Sequence, residues 1–384
     1  MNRLFKTLTC PKCGREYPIN ELQNLCNCGA PLLAYIQVEA ETNPLEMIIT
    51  EDESLWRYRK LLPIKNENDR VTLGEGMTPL KREAELGSLL GLDNLYLKDE
   101  GVNPTGSFKD RGMTVALSRA KELGVTKVSL PSAGNAGVAA AAYADAAGME
   151  CWVFIPDDTP SSFSKSCLEY GANVTKVKGT ITDAGLMMSE TLDESWFNLS
   201  TLKEPYRVEG KKTMGYELAE QLDWKLPDVI LYPTGGGTGL IGMWKAFDEM
   251  EKLGWIDGER PKMVSVQSEG CAPIVKAFHE GKDFAEPWDN AKTNALGLRV
   301  PSAVGDFLML RALRESGGTA IAVSEDEIIE GIRLVEKHTK LSPAPEGGAA
   351  VIAAKKLVEN RFLKGAESVL LFITGSKEKY SELY

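Results

Sequence analysis

The chain has 384 residues, 43% of them hydrophobic and 26% charged, a composition that excludes disorder and is large enough for two lobes with buried cores. It shows no apolar run of the 18 or so residues that cross a bilayer and no export-signal pattern at its start, so no membrane partner and a cytoplasmic location are expected. Its net charge of −11 repels a phosphate backbone, which excludes nucleic acid as a partner.

Residues 1–40 form the first unit. They are turn-rich and hold four of the seven cysteines: Cys10 and Cys13 in a C-x-x-C turn, Cys26 and Cys28 in a C-x-C turn. So short a segment cannot build a core alone, and four thiolates suit a closed structural zinc site. A small N-terminal zinc-ribbon-like appendage is therefore expected, with free thiols as the alternative. The chain has only two histidines, His279 and His338, which leaves little room for histidine-based catalysis.

Residues 41–95 begin with a polar arm around Leu55-Trp56-Arg57-Tyr58. From there, short apolar runs alternate with helical patterns, the mark of parallel βαβ construction. Strands are predicted at 95–97, 127–130, 151–155, 173–177, 229–232, 263–266, 319–323 and 369–373.

Three strand ends carry chemistry. The first is Asn103-Pro104-Thr105-Gly106-Ser107-Phe108-Lys109-Asp110-Arg111-Gly112. Here Ser107 can cap a helix that carries Lys109 in its first turn, where the helix dipole and Arg111 favour the neutral, nucleophilic amine. The second, Ser132-Ala133-Gly134-Asn135, opens a helix of small residues and offers free N–H groups beside an amide. The third, Gly235-Gly236-Gly237-Thr238-Gly239, lies between a strand and a helix, where side-chain-free residues let the backbone wrap a phosphate. Gly237, Gly239 and Gly242 also fit the dinucleotide pattern G-x-G-x-x-G. The nearest acidic residue after the following strand, Glu269, lies 32 residues beyond Gly237, too far for the ribose contact that this pattern requires.

In this order, the three segments resemble those of the fold type II pyridoxal-phosphate enzymes, the tryptophan-synthase-β-like family, and among them most closely the threonine synthases. The resemblance runs from Leu73-Gly74-Glu75-Gly76-Met77-Thr78-Pro79-Leu80 to Thr374-Gly375-Ser376 and includes Pro205-Tyr206-Arg207-Val208-Glu209-Gly210-Lys211. It implies an α/β protein of two lobes with parallel-type βαβ sheets: a small domain over 96–194 with the lysine and asparagine loops, and a large domain over 195–384 with the glycine-rich phosphate loop. It further implies pyridoxal 5'-phosphate as cofactor, a small amino-acid substrate and a homodimer.

Residue by residue, the resemblance implies that Lys109 bonds the cofactor and moves the substrate's α-proton. Phe108 and Asn135 would flank the ring; Gly235, Gly236, Gly237, Thr238 and Gly239 would hold its phosphate; and Thr374 would meet its nitrogen. Ser132 and Gly134 would contact the substrate carboxylate, and Arg207 and Lys211 its phosphate. Two positions depart from the pattern: Ala136 and the pair Thr201-Leu202 stand where hydroxyl or amide residues often hold that phosphate. They leave open an ammonia-lyase acting on threonine or serine, or a β-replacement enzyme; a nicotinamide-dependent oxidoreductase is the more distant alternative.

Overall fold

The computed structural model describes residues 4–37 and 43–384; the unit boundary expected at residue 40 lies outside them. Three sheets organise the chain. A small antiparallel one has the order β2-β1-β3, from β1 (Phe5–Thr9), β2 (Glu16–Pro18) and β3 (Leu33–Ile36). A six-stranded sheet combines β4 (Leu80–Arg82), β5 (Asn94–Asp99), β10 (Val229–Pro233), β11 (Lys262–Ser268), β12 (Thr319–Val323) and β13 (Ser368–Ile373) in the order β12-β11-β10-β13-β5-β4. Only β4 runs antiparallel there. The third sheet, β8-β7-β6-β9, is fully parallel and contains β6 (Lys127–Pro131), β7 (Glu150–Pro156), β8 (Asn173–Val177) and β9 (Phe197–Asn198).

All eight strands predicted from the apolar runs are present. Those buried on both faces were the easiest to read: β10 is Val-Ile-Leu-Tyr-Pro with every residue buried, as a central parallel strand requires. The short β4 and β9 lack a run long enough to announce them and exist through pairing with their neighbours.

Six helices position the site: α1 (Lys109–Glu122), α2 (Asn135–Ala147), α3 (Ser161–Glu169), α4 (Arg207–Gln221), α5 (Thr238–Lys252) and α6 (Pro345–Glu359). The N-cap of α1 is Phe108, one residue after the Ser107 expected there; the Ser107 hydroxyl instead accepts from the Lys109 N–H at 3.3 Å. Among the described residues no helix is long and apolar enough to cross a membrane.

Candidate active site

Parallel strands end together, so the loops that follow them share one edge of the sheet. After β5 comes the lysine loop, after β10 the glycine loop, after β13 Thr374, and after β6 of the facing sheet the Ser132–Asn135 turn. Phe108, Lys109, Ser132, Gly134, Asn135, Gly235 to Gly239 and Thr374 all line one cavity between the two sheets. The lysine loop is stapled to the end of β13. Phe108 N–H donates to Thr374 O and Ser376 N–H to Gly106 O, each at 3.0 Å, around the bridge between Ser107 and Gly375.

The glycine loop is a cradle without room for side chains. A Cβ on Gly235 would lie 2.1 Å from Gly297 O, one on Gly237 2.2 Å from Met309 Sδ, and one on Gly239 2.0 Å from Tyr232 Oη. Gly237 also has φ +82°, a left-handed conformation that glycine adopts without strain. The loop leads directly into the N-terminus of α5, where unpaired N–H groups favour an anion. Asn135 Oδ1 is buried without a partner, and so is Tyr232 Oη. These free polar groups, the cradle and a buried lysine fit pyridoxal phosphate: backbone donors for its phosphate, an amide for its ring and an amine for its aldehyde carbon.

Lys109 is half-buried and lines the cavity. Burial, followed by the nearby Arg207 charge, brings its amine down from 10.5 to about 8, close to where a lysine is both free and nucleophilic. Its Nζ lies 4.5 Å from the centre of the Phe108 ring, and Lys211 Nζ lies 4.3 Å from the same ring. Arg207 and Lys211, expected to hold a substrate anion, stand behind the cavity wall. Lys211 donates to Phe108 O, and burial, Lys109 and Arg207 push its amine well below the ordinary lysine range. Arg207 donates from Nη1 to Leu199 O at 2.6 Å, while its Nε and Nη2 are buried with no partner. The Ser132 hydroxyl is occupied within its own turn, accepting from Gly137 N–H at 2.8 Å.

Several groups in the wall were not legible beforehand. Thr201 belongs to a pair read as a departure, yet it lines the cavity, and a Cβ on Gly236 would lie 2.6 Å from its Cγ2. Leu202 turns the other way, with φ +59° and its side chain packed beside Gly305. Arg299 reaches from beyond β11 to Asp158, beyond β7, with contacts of 2.6 and 3.0 Å that join the two lobes. Glu346 and Tyr380 also face the cavity. Of these, Glu346 is legible in Ala344-Pro345-Glu346-Gly347-Gly348, where an acid opening a helix reads either as a group approaching the cofactor or as one favoured by the helix dipole.

Apart from the cavity, the four N-terminal cysteines converge. Cys10 and Cys28 Sγ are 3.5 Å apart and Cys13 and Cys26 Sγ 3.6 Å apart, with all four within 4.8 Å of one another. Thiolates around one zinc stand about 3.8 Å apart, so the donor set fits that ion.

Comparison with known proteins agrees with this geometry. The family model for "Pyridoxal-phosphate dependent enzyme" matches residues 71–375. A threonine synthase of Methanocaldococcus jannaschii is 37% identical over 95% of this chain and 91% of its own length. One of Methanosarcina acetivorans is 37% identical over 96% and 91%. Among solved structures, a threonine deaminase from Solanum lycopersicum superposes with TM-score 0.68 at 20% identity, covering 92% of this chain and 95% of that one. At that identity the likeness is one of fold.

Proposed function

The chain belongs to the pyridoxal-phosphate dependent enzymes and, within them, to the family of the threonine synthases; from that premise we propose that it converts O-phosphohomoserine and water to threonine and phosphate. The observation that carries this reading over an ammonia-lyase is Arg207. Its fully buried guanidinium has two unpartnered nitrogens and is opposed by Glu204, which leaves positive charge behind the cavity wall for an incoming anion to complete. A phosphorylated substrate brings that anion, and threonine or serine has none beyond its carboxylate.

When bound, pyridoxal phosphate supplies an electron sink that acidifies the Cα–H of an attached amino acid, and its phosphate belongs in the Gly235–Gly239 cradle. Lys109 would bond the cofactor's aldehyde carbon, and its amine would take the substrate's α-proton. Phe108 and Asn135 would flank its ring. Thr374 offers a neutral hydroxyl to the ring nitrogen. Ser132 and Gly134 orient the substrate carboxylate with the N–H groups of their turn. Thr201, at the cavity, would meet the substrate phosphate, with Arg207 and Lys211 adding positive potential from behind the wall. Overall, the substrate loses one proton from Cα and one from Cβ, the Cγ–O bond breaks, water delivers hydroxyl to Cβ and a proton to Cγ, one of the removed protons returns to Cα, and the other leaves with the phosphate.

The Cys10, Cys13, Cys26 and Cys28 site holds a structural zinc, and the enzyme works as a cytoplasmic homodimer; metal analysis and sedimentation test these statements. The reaction itself is tested by following phosphate release from O-phosphohomoserine and 2-oxobutyrate release from threonine. Phosphate matched by threonine supports the synthase; oxo acid without phosphate release makes the protein an ammonia-lyase.

A further inference from the structure

Three cations crowd the lysine end of the cavity: Lys109, and Lys211 and Arg207 from α4. Glu204 faces Arg207, and Asp110 and Glu100 face Lys211, which leaves Glu346 as the carboxylate in the cavity wall that faces Lys109. Glu346, in the first turn of α6, is buried and lines the same cavity as Lys109. Its Oε1 accepts from Gly297 N–H at 2.6 Å and from Tyr380 Oη at 3.0 Å, so the side chain has one orientation and cannot swing to solvent.

Tyr380 is fixed in turn from the other lobe. Its ring meets Phe163 of α3 edge-on, with centroids 5.3 Å apart. Two residues later, Glu382 accepts from Ser161 Oγ at 2.7 Å and Ser161 N–H at 3.1 Å, and Ser162 Oγ donates to Lys379 O at 2.6 Å. The segment carrying Tyr380 therefore ties the start of α3 to the wall that contains Glu346. A solvent-facing first-turn acid would need none of this.

We propose that Glu346 is a positioning residue for Lys109: its carboxylate is the counter-charge to the lysine amine, and Tyr380, anchored on α3, holds it in place. This rests on the reading that Lys109 carries the cofactor. The groups facing Lys109 are Arg207 and Lys211 from α4 and Glu346 from α6. Those facing Glu346 are Lys109 and Tyr380, with Tyr384 beyond. Burial pushes the Glu346 carboxyl above its ordinary 4.5, with Gly297, Tyr380 and Lys109 opposing that rise; once ionised it keeps the proton on Lys109 long enough to be delivered, and without it the amine sheds that proton too readily.

The test uses the full chain stripped of cofactor. Recombination with pyridoxal phosphate is followed by the visible band across pH 6 to 10, because only the neutral amine attacks the aldehyde. Glu346→Gln keeps an acceptor for Gly297 and Tyr380 while removing the charge. The expected result is a midpoint about one pH unit lower, with recombination on the acid side about tenfold faster. Tyr380→Phe shifts it the same way by less, and decides the matter alone where the Gln variant does not fold. A midpoint unmoved in both variants, or a slowing equal at every pH, overturns the proposal, since a merely structural role slows recombination without moving the midpoint. Absence of the band in the unsubstituted protein would overturn the cofactor reading itself, and this inference with it.

Discussion

The same two helices carry two groups of buried charge that behave in opposite ways. Arg111 of α1 and Glu217 of α4 belong to a closed network with Glu100 and Lys98, all four side chains fully buried. Arg111 meets Glu100 and Glu217 at 2.7 Å, and Lys98 meets Glu217 at 2.6 Å. Two cations face two anions, and Thr78 and Gln221 take the remaining bonds. Two residues before Arg111 stands Lys109, and ten before Glu217 stands Arg207, in a group where Glu204 faces the guanidinium but two of its nitrogens go unpartnered. Arg207 and Lys211 are buried as deeply as the first network, but their polar atoms are not all satisfied. A satisfied network locks α1 and α4 against β5, and an unsatisfied one beside it waits for a ligand to complete it.

Substitution can break or sharpen that contrast. The largest effect is expected at Lys109: Lys109→Ala should lose the visible cofactor band and about ten-thousandfold in turnover, while the melting temperature stays within a few degrees. A retained band would remove Lys109 from the functional group. Next, Glu217→Gln should cost about 3 to 5 kcal/mol in urea unfolding, because it leaves Arg111 and Lys98 short of an anion. Arg207→Met should cost far less in the ligand-free protein, under about 1 kcal/mol, because unpartnered nitrogens disappear and the Glu204 carboxyl left behind, already raised to about 7 by burial, can take a proton. The same change should raise KM for the phosphorylated substrate about a hundredfold, near 2.7 kcal/mol. If Arg207→Met destabilises as Glu217→Gln does, the two groups are not different in kind.

The paired network should also be visible in acid. Burial favours the protonated form of Glu217, but Arg111 and Lys98 outweigh it and hold the carboxyl well below its ordinary 4.5. The folded state therefore binds fewer protons than the unfolded one below about pH 4.5. This stabilisation is complete above that value and falls by up to about 1.4 kcal/mol per pH unit as pH drops toward the folded value. Glu217→Gln should flatten that slope. The smallest effect belongs to the cysteines: Cys10→Ser should abolish zinc binding and loosen the first sheet in hydrogen exchange, with little change in the unfolding of the two lobes.

Most of the cavity was legible because its parts are made locally. The lysine loop, the Ser132–Asn135 turn and the glycine loop each sit between a strand and a helix, and the glycines are required by close approaches that a short motif records. Thr201, Arg299, Glu346 and Tyr380 were not legible as a group, since they come from four distant segments and share a wall only because β13 inserts between β10 and β5. The pair Thr201-Leu202 is instructive. From sequence it reads as a loss of ligands, but the positive φ at Leu202 turns that side chain into the core and leaves the Thr201 methyl and hydroxyl at the cavity.

By itself, the sequence determined the alternation of strand and helix, the place of each loop after a strand, the choice of lysine and the spacing of four thiols, because these depend on neighbours a few residues apart. Which buried charges are paired was decided only by the tertiary structure. Arg111 and Arg207 look alike in sequence, each in the first turn of a helix, and a charge is satisfied or stranded by partners up to 119 residues away, as Lys98 is by Glu217.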